Sequence, residues 1–460
     1  MLDTLTSRYL ERVRGIPGSE LIGSLPQSEL LNGLYHGRYL SRPVFLDHGE
    51  RARLHADLEN LRGALVSLPG RLFGGDVGAF ASAMGMTGYQ REAIEREVRA
   101  RLGRGIAASQ LTRVDMYRGT TGFQVLEFNM GSAVGGLDNP DICRALLQHP
   151  VLAAFAAENG LGFTDTTSGM IDTIFTETGL ERGSFPVVAL ANWPGLHMDT
   201  YMRHVTQRWR GLGLDAHPCH VGELSVRCGG VWLDGRRVDV IYRMFATAEL
   251  RKPGASALMT PLLDAAERGD VVLFTPLASE MLGSKAALAM VSGDRNGHLF
   301  SAAERASIAA IVPWTRLIRP EDTILPDGAS GDLVRYVIEH QADLVLKPAM
   351  LHAGLGVLLG WHPDTTPRLW RDRVLAAAAA GDHVVQRGIR PVPELFPGDD
   401  GQPVPWIVLW GAFTAASATG GTGSVHGGLY TRAVRADGQT KLITRDSGAF
   451  VGCCLVAERA

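Results

Sequence analysis

Four residues with reactive or ligating side chains crowd into one short stretch, "RVDMYRGTTGFQVLEFNM" (113–130): Arg113, Asp115, Glu127 and Asn129. Two carboxylates and an amide offer the oxygen donors that hard divalent cations take. Mg²⁺ in particular is commonly held by one or two carboxylates together with substrate phosphates. Two β-like runs, Val114–Tyr117 and Phe123–Phe128, flank a glycine-containing turn and predict a hairpin. Side chains i and i+2 share a face of a strand, so Glu127 and Asn129 project together while Phe128 turns to the core. Asp115 on the partner strand can meet them, and Arg113 brings a positive charge to the same face. On spacing alone, a solvent-facing polar hairpin with a surface salt bridge explains these residues equally well.

Two lysines extend the pattern. In "DLVLKPAMLHAGLGVLLG" (343–360) an apolar strand delivers Lys347, and a loop containing Gly354 and Gly356 leads into a second apolar strand. Backbone N–H groups of such a loop can approach phosphate oxygens closely, with the lysine supplying charge. The glycines lead into a strand, so this is neither the P-loop nor the dinucleotide fingerprint, and a plain hairpin is the competing reading. In "SEMLGSKAALAMVSG" (279–293) Lys285 stands at a helix start near Ser284. A cation there opposes the helix macrodipole unless a counter-charge such as phosphate is at hand. "HVVQRGIRP" (383–391) predicts a strand ending in a hinge, and "VDVIYRMF" (238–245) sets Asp239 and Arg243 on another strand.

The elements that must position these groups come from a chain of 460 residues with formal net charge −3, 45% hydrophobic and 20% charged. That describes an ordinary globular core and gives no reason to expect nucleic acid or an anionic membrane as partner. No apolar run reaches the roughly 18–20 residues of a spanning helix, and the N-terminus is charged and amphipathic, unlike a signal peptide. Five dispersed cysteines argue against a disulfide framework and for a reduced, cytoplasmic protein. Fourteen scattered histidines show no zinc-ligand spacing. Residues 1–104 read as a helical N-terminal region, with helical runs over Glu50–Gly70 and Gln90–Leu102. The hairpin and following helices occupy 105–180, a small α/β lobe 181–268, and a third section 269–460. The segment "GAFTAASATGGTGSVHGG" (411–428) predicts a mobile glycine-rich loop.

Taken in order, these segments resemble the circularly permuted ATP-grasp ligases, the group that includes eukaryotic-type glutathione synthetases and glutathionylspermidine synthetases. "VLEFNMGSAVGGL" is similar to the metal strand of the former. The R-x-D…E-x-N arrangement, with twelve residues from Asp115 to Glu127, is similar to the magnesium site of the latter. "LGSKAALAM", "DLVLKPAMLHAGLGV", "HVVQRGIRP" and "GGLYTRA" resemble the nucleotide-site segments in the family's order, over about residues 105–435. The resemblance implies an α/β, circularly permuted ATP-grasp fold with an inserted lobe, and ATP-dependent joining of a carboxylate to an amine through an acylphosphate.

It further implies Mg²⁺ on Asp115, Glu127 and Asn129, and Arg113 stabilising the transferring group. Lys285, Lys347, Gly354, Gly356 and Arg432 would lie at phosphate, and Val384, Val385 and Gln386 at the adenine hinge. Ser132, Gly135, Gly136 and Arg243 would serve a substrate carboxylate. The substrates would be a small acid and an amine, an amino acid or short peptide among them, and a homodimer is compatible with the reading. One departure stands out: after Lys-Pro the loop reads Ala-Met-Leu-His-Ala-Gly-Leu-Gly, without the acidic or arginine residue often found there. It keeps open a non-catalytic nucleotide-binding protein of the same fold, and a small-molecule phosphotransferase is a further alternative.

Overall fold

The computed structural model describes residues 4–23, 35–100, 108–196, 198–351, 354–418, 423–436, 443 and 447–457. The fold is mixed α/β. An eight-stranded sheet runs Val44–Leu46, Phe450–Ala457, Ser424–Arg435, Pro403–Ala416, Thr112–Gly119, Gly122–Met130, with two short strands paired off this path. Only the pairing of Val44–Leu46 with Phe450–Ala457 is parallel along that path. The region before the hairpin is thus not purely helical: it contributes an edge strand, then the helix His48–Phe73, which Asp47 caps by accepting from the Glu50 N–H.

The predicted hairpin is present and its register sets the site. Arg113 lies opposite Asn129, Val114 opposite Phe128 and Asp115 opposite Glu127. Val114, Met116, Val125 and Phe128 enter the main core, where Gly122–Met130 packs against the helices Ser279–Leu282, Lys285–Val291 and Ala302–Ile311, and the polar set faces the other way. The alternation is interrupted once. Met116 pairs with Val125, so Leu126 is an extra residue, a bulge that lets both Val125 and Phe128 reach the core.

Two four-stranded sheets flank this one. The first is parallel, in the order Val272–Phe274, Val240–Arg243, Val187–Asn192, Asp215–His220. The second is antiparallel, in the order Thr315–Leu317, His383–Arg387, Leu344–Pro348, Leu358–Leu359. Here Val385 and Leu346 pack into a small core around Trp370, while Lys347 and Gln386 occupy the opposite face.

The expected mobile loop over 411–428 is corrected. Gly411–Ala416 and Ser424–Gly428 belong to paired strands of the main sheet. Their glycines admit neighbours: a Cβ at Gly427 would stand 3.1 Å from Phe413, and one at Gly428 2.7 Å from the Thr166 methyl. Residues 419–422 lie outside the described residues. Among the described residues no helix is long and apolar enough to cross a membrane.

Candidate functional site

The polar face of the main sheet, the helix Lys285–Val291 and the antiparallel sheet enclose a cavity of about 490 Å³. Arg113, Asp115, Glu127, Asn129, Lys285, Lys347, Gly354, Gln386 and Arg432 all line it. Residues from positions 113 to 432 therefore meet in one place, as their order in the sequence led us to expect.

The charges are mostly paired. Arg113 grips Asp115 bidentately, Nε to Oδ1 at 2.7 Å and Nη2 to Oδ2 at 2.8 Å, and also donates to the Val134 carbonyl. Burial pushes the Asp115 carboxyl up despite the guanidinium beside it, and Glu127 adds to that rise. Burial opposes the charge on Arg113, yet the Asp115 carboxylate holds its pKa above the ordinary arginine value. Lys285 Nζ lies 3.1 Å from Glu127 Oε2 and donates to the Leu351 carbonyl at 2.7 Å. Ser284 caps the short helix that carries it, accepting from the Ala286 N–H.

Lys347 is buried. Its Nζ donates to Gln386 Oε1 at 2.6 Å and to the Leu126 carbonyl, the bulge residue, at 3.1 Å. Desolvation, with help from the Lys285 charge and against the pull of Glu127, lowers its pKa to about 7. An anion placed beside it would favour the charged form of this amine.

Arg432 differs from its neighbours. Among the described residues its guanidinium makes no hydrogen bond or close ion pair, although its charge acts on the buried carboxyls of Asp115 and Asp138, and it lies 5.2 Å from the Tyr430 ring centre. With Asp115 and Glu127 matched to Arg113 and Lys285, and Glu280 matched to Arg243 outside the cavity, Arg387 and Arg432 leave a cationic surplus, to which Lys347 adds when protonated. The rest of the lining is largely apolar, with Val345, Val357, Leu359, Trp361, Ile389 and Leu409, and Leu409 lies directly opposite Arg432. A planar apolar group joined to an anionic chain would match this mixed lining.

Several expected residues stand elsewhere. Arg243 is fully buried, paired with Glu280 at 2.8 Å and bonded to the Thr275 and Phe245 carbonyls, so its donors serve the protein. Ser132 is buried between Phe274 and Thr275, and its carbonyl accepts from the Tyr242 hydroxyl. Gly136 faces Phe413, whose ring a Cβ would meet at 2.1 Å, so packing accounts for this glycine. Gly135 lies near Arg113 without lining the cavity. Gly356 does not line it either, and a Cβ added there would meet Pro348. Val385 turns to the Trp370 core, and Val384, though on the face of Lys347, is covered. Val345 and Ile389 line the cavity instead.

The residues that sequence reasoning missed include Glu280, Trp361, Arg387, Tyr430 and the Leu126 carbonyl. Only the last left a clear sign in the sequence: Val125 and Phe128 are three apart, a spacing that a regular strand cannot turn to one face.

A divalent cation fits the donors in part. The Asn129 amide donates to the Arg113 carbonyl at 3.2 Å, which leaves its side-chain oxygen as an acceptor beside the Glu127 carboxylate. Both Asp115 oxygens are engaged by Arg113, in contrast to the metal role expected of it. Among the described residues no group of three or more His, Cys, Asp or Glu side chains is placed to hold a metal. Glu127 and Asn129 therefore suit an ion whose remaining ligands come from phosphate and water.

No protein-family model matches the chain, and no curated protein matches it. Among solved structures, a glutathione synthetase-like effector from Globodera pallida, in apo form, shares the fold. It matches with a TM-score of 0.54 and 12% identity over 98% of this chain and 97% of its own. At that identity the likeness establishes the fold alone. A D-cycloserine synthetase matches at a TM-score of 0.25 and 16% identity, over 55% of this chain and 75% of that one, too slight to argue from.

Proposed function

We propose that this chain is an ATP-dependent, ADP-forming carboxylate–amine ligase on a circularly permuted ATP-grasp core, with 181–268 as an inserted lobe. The observation that carries the reading is one cavity whose lining joins apolar residues, Trp361 and Ile389 among them, to the cationic side chains of Lys285, Lys347 and Arg432. In this reading the adenine lies against Trp361 and Ile389 near Gln386, and the phosphate chain runs past both lysines toward Arg113. Glu127 and Asn129 would hold magnesium, which would supply charge neutralisation at the terminal phosphates. Arg113 and Arg432 orient the transferring phosphoryl group and then steady the oxyanion formed when the amine attacks the acylphosphate, so positioning and electrostatics carry the catalysis.

ADP release screened with pairs of small acids and amines tests this directly. Release that requires both an acid and an amine supports a ligase, and release with an acid alone points to a phosphotransferase.

A second reading is a nucleotide-binding protein without turnover. The phosphate-side loop favours it, because among its described residues Ala349, Met350 and Leu351 bring no charged group and only Gly354 and Val357 line the cavity. Tight ATP binding with no ADP formed for any acid–amine pair would select it.

A further inference from the structure

The four strands behind the cavity carry one continuous row of facing residues: Tyr430, Gly411, Asp115 and Glu127, each directly opposite the next. Gly411 is the gap in that row. A Cβ there would stand 1.9 Å from the Tyr430 ring, so the ring lies across the glycine and leans toward Asp115. The next row along one side holds Arg113 and the next on the other side Arg432, both on the same face.

Both guanidinium groups meet that one ring, Arg113 at 5.6 Å from its centre and Arg432 at 5.2 Å. Phe413 backs it, with ring centres 5.7 Å apart. Tyr430 is 8% exposed, and no described residue hydrogen-bonds its hydroxyl. Burial raises the phenol pKa, so it stays neutral and its ring retains the electron-rich face that cations seek.

Two like charges brought to one site repel, and arginine side chains are long and rotamer-rich. Asp115 and the Val134 carbonyl already fix Arg113, so it is Arg432 that something must hold at a set distance before an anion arrives. We infer that Tyr430, seated over Gly411, is a positioning residue: its ring holds Arg432 beside the Asp115-anchored Arg113, so that the two form a pre-set pair for one phosphoryl group. The inference rests on the phosphate-binding reading of this cavity but does not depend on ligase turnover. It assigns the function to the ring and not to the hydroxyl.

The test uses the full-length protein and calorimetric titration with inorganic tripolyphosphate, alongside ATP. Arg432→Ala sets the size of the loss from one missing guanidinium. Tyr430→Phe keeps the ring and should bind tripolyphosphate within about twofold of wild type. Tyr430→Leu should bind at least about tenfold more weakly, and Gly411→Ala, which keeps the tyrosine but displaces its ring, should move the same way. Wild-type affinity in a folded Tyr430→Leu or Gly411→Ala protein overturns the inference. So does a tenfold loss in Tyr430→Phe, a conservative change that keeps the packing, and so does wild-type protein that fails to bind tripolyphosphate. If tripolyphosphate shows the expected pattern while ATP does not bind, the nucleotide reading falls and the paired-arginine site stands.

Discussion

Replacing Lys347 by Met should stabilise the ligand-free protein near neutral pH while weakening nucleotide binding. The amine is held near pKa 7 in the fold against 10.5 for an ordinary lysine. The difference between those two values corresponds to roughly 5 kcal/mol of differential protonation free energy. Between pH 7 and about 10.5 the unfolded chain keeps the proton that the folded chain has released, so stability rises with pH across that window. The penalty is fully present below pH 7 and is gone above the unfolded value. Methionine has similar volume and no charge, but it leaves Gln386 Oε1 and the Leu126 carbonyl without their donor. An orphaned buried acceptor costs about 1–3 kcal/mol, so the net gain expected at pH 7 is roughly 2–4 kcal/mol. Denaturant melts of both proteins at pH 6, 7, 8 and 9 measure it, and the gap should narrow as pH rises. ATP binding to wild type at pH 7 to 8 should take up protons, read from calorimetry in buffers of different ionisation enthalpy, and Lys347→Met should abolish that uptake. A destabilised Lys347→Met protein, or a gap that ignores pH, would refute the reasoning.

Glu127→Gln should abolish turnover. It removes the carboxylate beside Lys285 and should cost roughly 1–3 kcal/mol in a thermal melt, because a mostly buried cation loses its counter-charge. Arg113→Ala should lose turnover by roughly 100-fold or more and stability by about 3–5 kcal/mol, since it strands buried Asp115. The double change Arg113→Met with Asp115→Leu should recover most of the stability and none of the ADP formation; recovered activity would remove Arg113 from the chemistry. Gly283→Ala would put a Cβ 2.7 Å from the Phe128 carbonyl, so it should push Lys285 off the hairpin and weaken ATP more than adenosine in titrations. Equal losses for the two ligands would mean that the glycine only serves folding.

Much of the site was legible because its parts are local. Strand period two assigned Arg113, Asp115, Glu127 and Asn129 to one face, and the short runs around Lys285 and Lys347 delivered both lysines to the cavity. What the sequence hid was non-local pairing. Gly411, Gly427 and Gly428 read as loop flexibility, but each admits a distant aromatic ring, backbone or methyl group within a paired strand. Ser132 and Arg243 have the chemistry of ligand groups, yet Thr275 and Glu280, more than thirty residues beyond Arg243, engage their polar atoms. Val385 shows the limit of a hinge assignment: which of two adjacent valines faces a core depends on the helices Leu333–Glu339 and Pro367–Ala380 covering one side of the sheet, which no local pattern announces.

The order of strands in the main sheet also fixes the order in which a ribosome can supply it. Thr112–Gly119 has Gly122–Met130 on one side at once, but its other neighbour, Pro403–Ala416, is translated roughly 280 residues later. At about 5–20 residues per second the nascent hairpin waits roughly 15–60 s with one edge unpaired. Such an edge is a template for pairing with another chain. Arg113 and Asp115 sit on that strand, and charged side chains on an unpaired edge strand work against edge-to-edge association. The residues proposed to handle phosphate would thus first serve as guardians of an unfinished sheet.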